Sequence, residues 1–99
     1  MIEQNSTSGR LLVIDDEPDV ASTICMMAGL AGYETHHTDD TGAFLESVAA
    51  WAPTHVAVDL QLADRDGIEV IHKLAEMRCT AAIIIVSGLG GRILDSAAR

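Results

Sequence analysis

Residues 11–18 of the chain read LLVIDDEP, and this stretch decides the fold. Leu11, Leu12, Val13 and Ile14 are apolar without alternation, and the run stops abruptly at Asp15, Asp16, Glu17 and Pro18. A half-exposed strand alternates apolar and polar side chains. A short run that is apolar at every position fits a strand covered on both faces, such as a central strand of a parallel sheet. Pro18 lacks the N–H that the first turn of a helix leaves unpaired anyway, and the acids beside it suit the positive end of a helix dipole. The stretch therefore reads as a buried strand, a turn and a helix start.

Working outward, the helix is expected over 18–31, with Val20, Ile24, Met27, Ala28 and Ala31 as its buried face and Gly32 as its stop. Residues 34–38 (ETHHT) form a short polar edge strand, on which the adjacent His36 and His37 point to opposite faces and cannot act together as ligands. A second helix is expected over 40–51, burying Phe44, Leu45 and Val48 and closed by Pro53. Residues 55–59 (HVAVD) form a third strand that again ends in Asp. The loop LQLADRDG leads to a third helix that opens at Gly67 and buries Ile68, Ile71 and Leu74. Residues 82–86 (AIIIV) are the fourth and most apolar strand, Ser87, Gly88, Gly90 and Gly91 its exit, and a fourth helix begins over 92–99. Strands alternating with helices imply an α/β domain: an open parallel sheet with helices on both faces, joined by right-handed crossovers. The 99 residues suffice for one domain, read as 10–99 behind a disordered polar tail at 1–9.

Three strand ends carry oxygen-bearing side chains: Asp15 and Asp16 after the first, Asp59 after the third, Ser87 after the fourth. In an open parallel sheet, ligands bind outside the carboxyl ends of the strands where the strand order reverses, so these residues converge if the first and third strands are neighbours. Clustered carboxylates repel, which raises a pKa or calls for a cation. All-oxygen donors suit a hard ion, and few carboxylates without Ca²⁺-loop spacing favour Mg²⁺. A carboxylate beside such an ion can act as a nucleophile towards a phosphoryl group. Each residue alone has a plainer reading: acids at a helix start for Asp15 to Glu17, a loop cap for Asp59, a helix cap for Ser87.

Taken together, LLVIDDEP, HVAVD with LQLADRDG, and AIIIVSG resemble the receiver domain of two-component response regulators over about residues 10–99. The resemblance implies a flavodoxin-like sheet of order 2-1-3-4, with Asp59 as phospho-acceptor and metal ligand. It implies Asp16 as a direct Mg²⁺ ligand, Asp15 acting mostly through water, and the Gln61 backbone carbonyl completing the metal shell. Ser87 would bond the phosphoryl oxygen and signal its arrival, and Asp66–Gly67 would close the loop after the acceptor. The donor would be a histidine kinase or phosphotransfer protein, and the result a switched output domain or protein, with no enzymatic role beyond slow loss of the protein's own phosphoryl group. Two substitutions depart from the pattern: Ala63 stands where the family usually has Pro, and Gly88 where Ala is common. The family's fifth strand with its Lys, and its fifth helix, have no counterpart, because Lys73 is the sole Lys and lies in the third helix. The chain is thus expected to be C-terminally incomplete, with an exposed strand edge that favours dimerisation.

Two other functions compete: an unphosphorylated pseudo-receiver serving as an interaction or dimerisation module, and a Mg²⁺-dependent phosphatase of another α/β family. The phosphatase reading is weakened because the usual two-Asp motif around the nucleophile is missing. The stretch SGLGGRILDSAAR resembles receivers joined to cyclic-dinucleotide output domains.

Composition sets outer bounds. A net charge of -9 repels nucleic acid phosphates and anionic membranes, so neither is an expected partner of this domain. Cys25 and Cys79 lack metal spacing and, with no signal core or membrane-length apolar run, imply a reduced, cytoplasmic setting. Tyr33, Phe44 and Trp51 are the only aromatic residues, so the core must come from aliphatic side chains.

Overall fold

The computed structural model describes residues 9–60 and 67–86. The elements are β1 (Arg10–Ile14), α1 (Pro18–Leu30), β2 (Glu34–Thr38), α2 (Thr41–Trp51), β3 (His55–Asp59), α3 (Gly67–Glu76) and β4 (Ala82–Val86). The strands form one parallel sheet in the order β2-β1-β3-β4. The chain steps from β1 to one neighbour and then crosses to the other side, so the order reverses between β1 and β3. This is the α/β receiver-like architecture expected from the sequence. The expected fourth helix, residues 1–8, Gln61, Ala63, Asp64, Asp66, Ser87 and Gly88 lie outside the described residues.

The uninterrupted apolar run of β1 serves two cores. Leu12 and Ile14, with Val56 and Val58 of β3, pack against Phe44 and Val48 of α2 and Val70 and Leu74 of α3. Leu11 and Val13, with Ala57 and Val86, pack against Ala21 of α1, flanked by Ile24, Cys25, Ala28 and Tyr33. Alternate strand residues face opposite sides, so among the described residues α1 covers one face and α2 and α3 the other. Gly9, at the domain boundary, already takes part: its carbonyl accepts from Glu34 N at 2.9 Å.

Local chemistry sets the helix ends. Pro18 opens α1, and Gly32 with φ 98° follows it, in the left-handed region that glycine tolerates. Asp40 caps α2, its Oδ2 accepting from Ala43 N at 2.7 Å. Helices α2 and α3 are followed by left-handed residues that carry side chains, Ala52 (φ 55°) and Arg78 (φ 58°).

The buried faces differ in part from the sequence expectation. Met27, placed in the core by its spacing, is 62% exposed, and Ala31 is exposed as well; Ala21 is the fully buried residue of α1. Ile68 is 51% exposed, whereas Val70 and Leu74 carry the α3 contact, with Ile71 partly buried. In α1 apolar side chains surround much of the axis, so three-and-four spacing admits more than one stripe; in α3 they share one face, and Ile68 lies at its margin. Leu45 packs at the core margin beside Phe44 and Val48. His36 lies edge-on to Trp51, with ring centroids 4.5 Å apart. Cys25 and Cys79 are free thiols and half-buried. Among the described residues no helix is long and apolar enough to cross a membrane.

Candidate functional site

The site is built where β1 and β3 end side by side. Leu12 registers with Val56 and Ile14 with Val58, so Asp15 and Asp59 leave adjacent strands one step later. Both continue the parity of Val13 and Ala57 and therefore emerge on the α1 face of the sheet. Asp15 N donates to Thr38 O of β2 at 3.1 Å, carrying the ladder one residue past β1. Asp15 Oδ1 accepts from Glu17 N at 2.8 Å, a local turn that leads directly into Pro18 and α1. On the other side, Asp59 registers with Val86 of β4. Leu60 N donates to Val86 O at 3.0 Å and Leu60 O accepts from Gly67 N at 3.2 Å.

Three side chains thereby meet. Asp15, Asp16 and Asp59 each present one carboxylate oxygen, all within 4.8 Å of one another. Asp15 and Asp59 are 3% and 2% exposed, and Asp16 is half-buried at the mouth. Burial pushes the Asp15 carboxyl up from 3.8 to about 6; the Glu17 N–H hydrogen bond holds it down, and the nearby charges of Asp59, Asp16 and Glu17 raise it further. Asp15 Oδ2 is buried with no hydrogen-bond partner, a costly state for a carboxylate oxygen unless a cation accepts its lone pairs. Arg10 starts β1 at the opposite end of the sheet, Lys73 sits in the last turn of α3 and Arg78 follows that helix, so none of these described cations belongs to the strand ends that carry the carboxylates. Oxygen-only donors, excess negative charge and a buried oxygen without a partner fit a small hard cation such as Mg²⁺.

The structure thus brings together Asp15, Asp16 and Asp59, three of the residues singled out from sequence; Gln61 and Ser87 lie outside the described residues. The family resemblance gives Asp15 the less direct part; in the structure it is the more deeply buried member of the Asp15–Asp16 pair. The parity of β1 carried that signal: Asp15 follows Val13 onto the covered α1 face. The close packing of Gly67 against the end of β3 was visible in sequence only as part of an Asp-Gly turn.

Comparison with known proteins agrees with this geometry. The family model described as the response regulator receiver domain matches residues 11–96. The photosynthetic apparatus regulatory protein RegA of Rhodobacter capsulatus is 30% identical over 80 residues, which cover 81% of this chain and 44% of that protein. The chain thus spans about half the length of the curated relatives it matches. A response regulator receiver domain protein (CheY-like) from Methanospirillum hungatei JF-1 superposes with a TM-score of 0.77 at 23% identity, covering 84% of this chain and 66% of that one. A sensor protein from Polaromonas sp. JS666 gives a TM-score of 0.74 at 31% identity, covering 79% and 64% respectively.

Proposed function

Because the chain belongs to the response regulator receiver domain family of two-component signalling, we propose that Asp59 is its phospho-acceptor and that Asp15, Asp16 and Asp59 hold Mg²⁺. The observation that carries this reading is the convergence of three carboxylates within 4.8 Å at the ends of β1 and β3. A bound Mg²⁺ would supply charge neutralisation for the phosphoryl oxygens and orient the donor. Asp15 and Asp16 set that charge, with Glu17 N fixing the Asp15 carboxylate by its hydrogen bond to Oδ1. An oxygen of Asp59 attacks the phosphorus of a phosphohistidine on a kinase or phosphotransfer protein. The new O–P bond makes an acyl phosphate, and the electron pair of the broken N–P bond returns to the histidine nitrogen. The Gln61 carbonyl would complete the metal shell and the Ser87 hydroxyl would bond the transferred group.

The test is incubation with Mg²⁺ and a small acyl phosphate donor, read by intact mass. Wild type should gain one phosphoryl group, and Asp59→Asn should gain none. A wild-type chain that binds Mg²⁺ but never gains mass would refute the assignment, as would equal uptake by Asp59→Asn. Sustained phosphate release over many turnovers would instead favour the phosphatase alternative.

The phosphorylated domain would act on an output domain or protein in the cytoplasm. RegA is named as a regulatory protein and FixJ of Bradyrhizobium diazoefficiens as a transcriptional regulatory protein, which supports gene regulation as one output. A cyclic-dinucleotide output, suggested by residues 87–99, is the other. The alternative reading is an unphosphorylated interaction module. Such a module would self-associate or bind its partner equally well as wild type and as Asp59→Asn.

A further inference from the structure

Leu60, the residue after Asp59, is held from two sides: its N–H donates to Val86 O on β4 and its carbonyl accepts from Gly67 N at the start of α3. Gly67 is buried. Its φ lies outside the left-handed region, so backbone conformation does not demand glycine there. Space does. A Cβ at position 67 would lie 2.5 Å from Leu60 Cα and 3.0 Å from Asp59 C, and would overlap Asp59 O. These are all backbone atoms, so no flexible side chain can yield. One turn further on, Val70 and Leu74 anchor α3 in the core formed with Val56 and Val58 of the same β3 strand. The helix is therefore seated directly on the strand that carries Asp59, with its first residue on the peptide after the carboxylate.

We infer that Gly67 is a positioning residue for the Asp59 carboxylate: its missing side chain lets α3 close onto the Asp59–Leu60 peptide and fix the backbone from which the carboxylate reaches Asp15 and Asp16. This rests on the reading of Asp59 as a metal-binding phospho-acceptor. With both sides packed, one added methyl must displace the peptide or the helix start by an amount on the order of 0.5–1 Å, because close-packed interiors hold no void to absorb it. Asp59 hangs from that peptide by a short side chain, so the displacement passes to its oxygens. Such errors in placement are what metal and reaction geometry tolerate least.

The test compares Mg²⁺ affinity by calorimetric titration for wild type, Gly67→Ala and Val48→Ala. Val48 is buried on α2 in the same core, so its truncation destabilises the fold without touching the seat of α3 or adding an atom beside Asp59. Gly67→Ala should weaken Mg²⁺ binding by roughly 10-fold or more, the effect typical of residues that orient a metal ligand, while Val48→Ala stays within about 2-fold. Wild-type-like affinity in Gly67→Ala, or an equal loss in Val48→Ala, would overturn the positioning role. Should Gly67→Ala fail to fold, hydrogen exchange on the wild type decides. Mg²⁺ should protect the Leu60 and Gly67 amides more than the Ala82 amide, which bonds Thr54 O at the far end of the sheet, and uniform or absent protection overturns the idea. A wild type that binds no Mg²⁺ sinks the metal-site reading along with it, whereas normal wild-type binding with an indifferent Gly67→Ala sinks only the role of Gly67.

Discussion

Asp15→Asn should make the metal-free protein more stable, and by an amount that depends on pH. The folded protein holds the Asp15 proton up to about pH 6, whereas the unfolded chain releases it near 3.8. Across that window the folded state binds more protons than the unfolded state, so stability falls as pH rises. Below 3.8 both states are protonated and there is no loss; above 6 the loss is complete. At about 1.4 kcal/mol per pKa unit the ceiling is about 3 kcal/mol, and screening at the open mouth of the site reduces it to about 1–2 kcal/mol. Asn keeps an oxygen to accept from Glu17 N, as Asp15 Oδ1 does at 2.8 Å, while removing the charge. Urea unfolding in a chelator should therefore show the variant near wild type at pH 4 and more stable by about 1–2 kcal/mol at pH 7.5. Saturating Mg²⁺ at pH 7.5 should stabilise wild type and shrink or reverse that gap. A variant less stable than wild type in chelator at pH 7.5, or a difference that does not change with pH, would refute the argument that Asp15 is held ionised at a cost.

Ala52→Gly should stabilise the fold by roughly 0.5–1 kcal/mol, because Ala52 sits at φ 55° and relief of left-handed strain exceeds the entropy cost of glycine; a denaturant midpoint that falls would contradict this. Asp40→Ala removes the acceptor for Ala43 N and should cost about 1 kcal/mol in the same assay, without altering Mg²⁺ affinity. Phe44→Ala empties the largest fully buried position and should cost roughly 3–5 kcal/mol, enough to leave much of the chain unfolded at room temperature; a loss below 1 kcal/mol would mean that the Phe44 site collapses or is not core.

Element order was legible because local signals agreed with one another. β1, β3 and β4 are short apolar blocks with sharp boundaries, β2 is a polar edge strand between turn signals, and Pro18, Asp40 and Gly67 mark the starts of α1, α2 and α3. The helix faces were less legible. In α1 the apolar residues Val20, Ala21, Ile24, Cys25, Met26, Met27, Ala28 and Leu30 nearly encircle the axis, and only tertiary packing selects Ala21 over Met27. The exposure of Ile83 and Ile84 on β4 is likewise invisible to a rule that reads a wholly apolar strand as buried on both faces. Sequence reports what a strand could bury, and its neighbours decide what it does bury.

The candidate site shows the same division from the other side. That Asp15 and Asp59 should meet follows from topology once β1 and β3 are neighbours, and the sequence pattern sufficed for that. How they meet depends on register: Ile14 opposite Val58 sends both carboxylates to the same face, and a slip of one residue would send them to opposite faces. Nothing in an isolated strand encodes that register. It is enforced from outside the site, by Leu12, Ile14, Val56 and Val58 filling one core and Leu11, Val13 and Ala57 the other. The aliphatic core therefore does more than stabilise the sheet. By excluding every other register, it holds together three carboxylates that would otherwise repel, and leaves the resulting charge at one end of the sheet for a cation and a phosphoryl group to answer.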